Sequence, residues 1–129
     1  MARQFVVQLK NEPGAMATLA ESLAARGVDL RAIGGGSMGD SGHMIMTTAD
    51  DDTTSAVLDE MGYAYIEGES ILAEVDDRPG GMARLARELA DAGVNIYGHL
   101  FLGRWGDRAT FTFVVDKPDI ARPILERKD

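Results

Sequence analysis

The sequence predicts an α+β protein built from two tandem βαββαβ units with antiparallel sheets, the second lacking its final strand. Ile71, Ala73 and Val75 alternate with polar neighbours, Asp77-Arg78-Pro79-Gly80-Gly81 interrupts them, and Met82, Leu85, Ala86, Leu89 and Ala90 then recur at helical spacing. That change of period reads as a half-buried strand, a loop and an amphipathic helix. The same pattern stands earlier, with Pro13-Gly14 lying 66 residues before Pro79-Gly80 (79 − 13). At that offset Met16 falls on Met82, Leu19 on Leu85, Leu23 on Leu89, Gly27 on Gly93, Val28 on Val94, Asp29 on Asn95 and Leu30 on Ile96. A register kept this long marks an internal repeat. The third observation is where the repeat stops: Tyr63 at the same offset would fall on Asp129, so the second copy is expected to have no fourth strand.

Taken in order, Phe5 to Leu9 is the first strand, residues 11 to 14 a loop, and Ala15 to Arg26 a helix with the apolar stripe Met16, Leu19, Ala20 and Leu23. A second strand starts at Val28 and runs out in the glycine-rich stretch 34 to 42, which reads as a loose hairpin connection because glycine weakens a strand interior. His43 to Ala49 returns as the third strand, Asp50-Asp51-Asp52 caps a helix over 53 to 61, and Tyr63 to Glu67 is the fourth strand. A short Gly68-Glu69 link leads to the second copy. There the expected elements are strand 71 to 75, helix 81 to 92 closed by Gly93, strand 94 to 102, a turn over 103 to 107, strand 109 to 115 and a short helix from Pro118 to about Glu126. The order is that of a ferredoxin-like sheet, with domains expected at 1–68 and 69–129. The edge left open by the missing strand calls for a cover, from the first copy or from a second chain.

Composition narrows the function classes. Each half, at roughly 60 residues, is marginal as an isolated core, so the two are expected to lean on each other. No run approaches the ~18 apolar residues of a spanning helix, the N-terminus carries no signal pattern, and cysteine is absent. These point to a cytoplasmic protein without a membrane role and exclude disulfides and thiolate metal sites. The net charge of −8 argues against nucleic acid as a partner, since affinity for a phosphate backbone comes from Lys and Arg. Neither half is basic: residues 1–67 carry four basic and ten acidic side chains, residues 68–129 nine and eleven.

At the two loops the sequence resembles the ACT domain, a small ligand-binding module known as the amino-acid sensor of biosynthetic enzymes. Asn11-Glu12-Pro13-Gly14 with Gly27-Val28-Asp29-Leu30, and Asp77-Arg78-Pro79-Gly80 with Gly93-Val94-Asn95-Ile96, carry the resemblance. It covers almost the whole chain as a tandem pair, and is similar to stand-alone tandem ACT proteins whose second copy lacks its last strand. The loop chemistry supports it independently: a helix N-terminus offers unpaired N–H groups and partial positive charge to a carboxylate. Gly14, Gly80 and Gly81 let the backbone come close. Asn11, Asp77 and Asn95 supply oxygens for an ammonium, while Met16 and Met82 offer a deformable apolar wall. The bland alternative makes Pro-Gly a helix start and the methionines core. The resemblance implies a site that joins one unit's loop to the start of a neighbouring unit's second strand. Pro13, Gly14, Ala15, Met16, Arg78, Pro79, Gly80, Gly81 and Met82 then lie on the loop side, and Asp29-Leu30 or Asn95-Ile96 opposite. If each loop meets the other copy's strand, Asn11 faces Asn95 and Asp77 faces Asp29, and the amide pair suits a zwitterion better. A histidine that some amino-acid-binding members carry two residues before the loop is replaced here by Leu9 and Val75.

Other motifs weigh little. Gly34-Gly35-Gly36-Ser37-Met38-Gly39 matches G-x-G-x-x-G, but no helix pattern follows it. Asp50-Asp51-Asp52 lacks calcium-loop spacing, and His43 and His99 stand without a motif. Trp105 reads as a hairpin tip or a contact surface. No cysteine nucleophile, G-x-S-x-G, H-E-x-x-H or P-loop is present, and Phe111 and Phe113 alternate without the surrounding RNA-binding pattern. The expectation is a noncatalytic regulatory protein, without cofactor or metal, that binds a free amino acid or similar small carboxylate. Its expected partners are a second copy in a homodimer and a regulated metabolic enzyme. The alternative is a dimerisation scaffold of the same fold with no ligand.

Overall fold

The computed structural model describes residues 2–127. Residues 2–67 form one compact unit and residues 68–127 a second, each with its own apolar cluster.

In the first unit β1 (Arg3–Lys10), α1 (Ala15–Ala25), β2 (Leu30–Met38), β3 (Ser41–Thr48), α2 (Asp51–Glu60) and β4 (Tyr65–Glu69) follow the βαββαβ order. The sheet runs β2-β3-β1-β4, with β3 antiparallel to both β1 and β2. The alternation of the sequence is explained by what lies inside: Phe5 and Val7 from β1 and Met44 and Met46 from β3 meet Leu19 and Leu23 of α1 and Val57 and Leu58 of α2. Asp50 caps α2 as the acidic run suggests, its carboxylate accepting from the Thr53 N–H at 3.0 Å.

The second unit contains β5 (Ile71–Asp76), α3 (Gly81–Asp91), β6 (Ile96–Trp105), β7 (Arg108–Val115) and α4 (Pro118–Leu125). Its sheet has three strands in the order β5-β7-β6, antiparallel throughout, so among the described residues the strand that would flank β5 is missing. Ile71, Ala73, Val75, Ala109 and Phe113 face Leu85 and Leu89 of α3 and Ala121 and Leu125 of α4.

Three expectations need correction. The glycine-rich stretch is not a loose connection: β2 continues through Gly34, Gly35 and Gly36 to Met38, paired residue by residue with β3, and only Gly39-Asp40 turn. An edge strand has one neighbour to satisfy, so glycine is tolerated there, and Gly35 is needed. At φ +153 its backbone approaches β3 so closely that a Cβ would lie 2.1 Å from the His43 carbonyl oxygen. Likewise Gly103, Arg104 and Trp105 belong to β6, and the turn is confined to Gly106-Asp107. Gly68 and Glu69 are the end of β4 rather than a link.

Candidate functional site

Each unit's first strand ends in a loop that a helix starts from. Gly14 and Gly80 are the residues before α1 and α3, at φ 87 and φ 90, in the left-handed region that glycine occupies without steric penalty. Neither helix has a side-chain cap or an acidic residue in its first turn. The Ala15 and Gly81 N–H groups are taken by the Glu12 and Arg78 carbonyls at 3.3 and 3.1 Å, so it is the N–H groups of the next residues in each first turn, with the positive end of the helix dipole, that no carboxylate of the protein's own occupies.

The loops are tied to the hairpin tips of their own sheets. Asn11 donates from its backbone to the Asp40 carbonyl at 3.1 Å and from Nδ2 to the Gly39 carbonyl at 2.9 Å, which leaves Oδ1 as its side-chain acceptor. Asp77 donates from its backbone to the Asp107 carbonyl at 2.8 Å, and its carboxylate is held by Arg104 Nε at 2.8 Å. One loop oxygen is thus open and the other is engaged.

Three cavities border these loops. In the first unit one of about 680 Å3 lies between Pro13-Gly14-Ala15 and Tyr63. Another of about 450 Å3 lies between Ala15-Met16 and the Ile33–Ser37 part of β2, with Met44 in its wall. Both fall within the roughly 300–1,000 Å3 usual for small-molecule sites. In the second unit a smaller cavity, about 240 Å3, is bordered by Arg78, Pro79, Gly80 and Gly81 together with Arg84 and Arg108. Gly81 is required there, since a Cβ would stand 2.2 Å from the Asp76 carbonyl oxygen.

Within its own unit, not every candidate residue lies at the loop. Asp29 lies at the far end of its sheet, its carbonyl accepting from the Ala49 N–H at 3.0 Å and its carboxylate facing Arg31. Asn95 is bound in the same way to Asp116, whose carboxylate takes the Asn95 N–H at 2.8 Å. Within its own unit, neither residue meets the loop. Leu30, Met82 and Ile96 pack against the apolar clusters, whereas Met16 is half exposed at a cavity mouth. Conversely, Ile33, the glycines of β2, Ser37 and Met44 line a cavity that the sequence reading did not assign. The only signal for them was the glycine run, which reads equally well as a loop.

No family model and no curated protein matches this sequence. Solved structures do match its fold. A Bacteroides thetaiotaomicron protein is similar over 97% of this chain and 86% of its own, at TM-score 0.72 and 21% identity. The ligand-free regulatory subunit of aspartate kinase from Thermus thermophilus matches over 97% and 89%, at TM-score 0.61 and 19% identity. The aspartate kinase of Clostridium acetobutylicum, described as an allosteric enzyme, matches 96% of this chain with 32% of its own length, at TM-score 0.61 and 13% identity. The chain has the tandem ACT fold of these structures.

Proposed function

We propose, from that shared fold, that this chain is a noncatalytic regulatory module that binds a free amino acid or similar small carboxylate at its strand-to-helix loops. One observation carries the reading: at matched positions of the repeat, a left-handed glycine presents an uncapped helix N-terminus beside a cavity. Asn11, Pro13, Gly14 and Ala15 in the first loop, and Arg78, Pro79, Gly80 and Gly81 in the second, are the candidates for ligand contact on that basis. The Thermus thermophilus neighbour is itself a regulatory subunit, which favours a metabolic enzyme as the partner through which binding is read out.

The reading includes a homodimer joined through sheet edges. Support comes from the unflanked β5, where Leu72 is 59% exposed, and from β6, where Tyr97, Phe101, Leu102 and Trp105 are exposed. A thermal-shift screen of the twenty amino acids tests the ligand, because saturation at 100 times the dissociation constant adds about 2.7 kcal/mol of stability. A rise in melting temperature with one or a few related amino acids is expected. If none acts at millimolar concentration, the dimerisation scaffold without ligand takes its place.

A further inference from the structure

We propose that the first unit alone takes a ligand, a free amino acid with an aromatic-sized apolar side chain, in the cavity between the β1–α1 loop and β2. The second unit fills its counterpart of that cavity with its own side chains. This inference rests on the reading of the loops as amino-acid sites, and it names the loop and the class of ligand.

The rims differ first. Lys10 and Glu12 border the first unit's cavity of about 450 Å3, both are exposed, and neither side chain has an ion pair or hydrogen bond among the described residues. Opposite charges two residues apart, each without a partner, suit the carboxylate and ammonium of a zwitterion, with the uncapped start of α1 beside them. Their counterparts at the 66-residue offset, Asp76 and Arg78, satisfy each other at 3.1 Å, and Asp76 also holds Arg108 at 2.6 Å.

The floors differ in the same sense. In the first unit Gly35 pairs with Met44, so β2 contributes no side chain at that rung, and the buried methionine stands in the cavity wall. At the corresponding rung of the second unit Phe101 pairs with Phe111, and the two ring centroids are 5.4 Å apart. The Arg104 guanidinium lies 4.7 Å from the Phe101 centroid and binds Asp77, while the corresponding residue of the first hairpin is the short Ser37. The second unit therefore carries, in its own chain, a ring on the ladder and paired charges at the rim. The first unit has the same frame with the ring absent and the charges unpaired. An aromatic amino acid supplies what is absent, its ring resting on Gly34–Gly36 between Met16 and Ile33, which are 50% and 46% exposed.

Calorimetric titration of the whole chain with L-phenylalanine, L-leucine and L-aspartate tests this. L-Phenylalanine is expected to bind once per chain, with L-aspartate at least tenfold weaker. Ile33→Trp, which fills the cavity from an exposed position, should weaken L-phenylalanine at least tenfold, and Met16→Trp should do the same from the helix side if the edge strand fails to tolerate the first change. Phe101→Ala should leave the affinity of that site within about twofold. Two equal sites per chain, a preference for L-aspartate, or binding that survives both tryptophans would overturn the inference while the amino-acid reading stands. Absence of binding by all twenty amino acids at millimolar concentration would remove both.

Discussion

Gly14 and Gly80 show how much of the site rests on single residues. Nothing lies within 4 Å of a Cβ built on either, so the penalty of Gly14→Ala or Gly80→Ala is purely conformational. Each is expected to lower unfolding stability by about 1–2 kcal/mol, measured by urea titration. Gln4 makes the opposite case. It is wholly buried, and neither atom of its amide has a partner among the described residues. Gln4→Met, of similar shape without the polar group, should raise stability by about 1 kcal/mol, because a buried polar group without a hydrogen bond is a net loss; a decrease would show that the amide is satisfied after all. Asp50 brings in pH. Hydrogen bonds from the Thr53 side chain and backbone hold its carboxyl below the ordinary aspartate value. A depressed folded pKa gives a contribution fully present above the unfolded value and lost as pH falls through the folded one. The destabilisation caused by Asp50→Ala should therefore shrink as the pH of the urea titration is lowered into the acid range.

At the scale of the element, β2 is the informative one. Its glycines are not equivalent: Gly35 approaches the His43 carbonyl, whereas a Cβ on Gly36 would meet nothing within 4 Å. Gly35→Ala should destabilise the first unit by roughly 1–3 kcal/mol and disturb the amide signals of β2 and β3. Gly36→Ala should fall within about ±0.5 kcal/mol of the parent. Comparable effects from both would mean that the ladder drawn through the glycines is wrong. Apart from β6, which runs three residues further than its pattern shows, the helices and the other strands were legible to within about two residues, because Leu19, Leu23, Leu85 and Leu89 keep helical spacing and Ile71, Ala73 and Val75 alternate. Glycine carries no side-chain period, so a glycine-rich edge strand leaves no such trace; its existence is decided by pairing with β3.

For the whole molecule, charge and exposed surface make two predictions. With a net charge of −8, fluorescence anisotropy with labelled duplex DNA at physiological salt should show no binding at micromolar protein. Sedimentation equilibrium at the same concentration should return twice the chain mass, since among the described residues β5 and β6 are the outer strands of their sheet and carry exposed apolar side chains. A monomer would reject the dimer and leave the loop sites untouched. Among the described residues no helix is long and apolar enough to cross a membrane.

The sequence by itself determined the repeat, the order of elements, the cores and the two Pro-Gly loops, because each is written in local period or in a fixed 66-residue offset. It could not decide which loop is open. That depends on whether Lys10 and Glu12 stay apart while Asp76 and Arg78 pair, and on which residue stands across the ladder from Met44 and which from Phe111. Those are relations between strands, fixed by register and by a bulge between Phe101 and Gly103 that shifts the second hairpin by one residue relative to the first. Only the tertiary structure sets them, since one residue of register decides which side chain occupies a cavity and which leaves it empty.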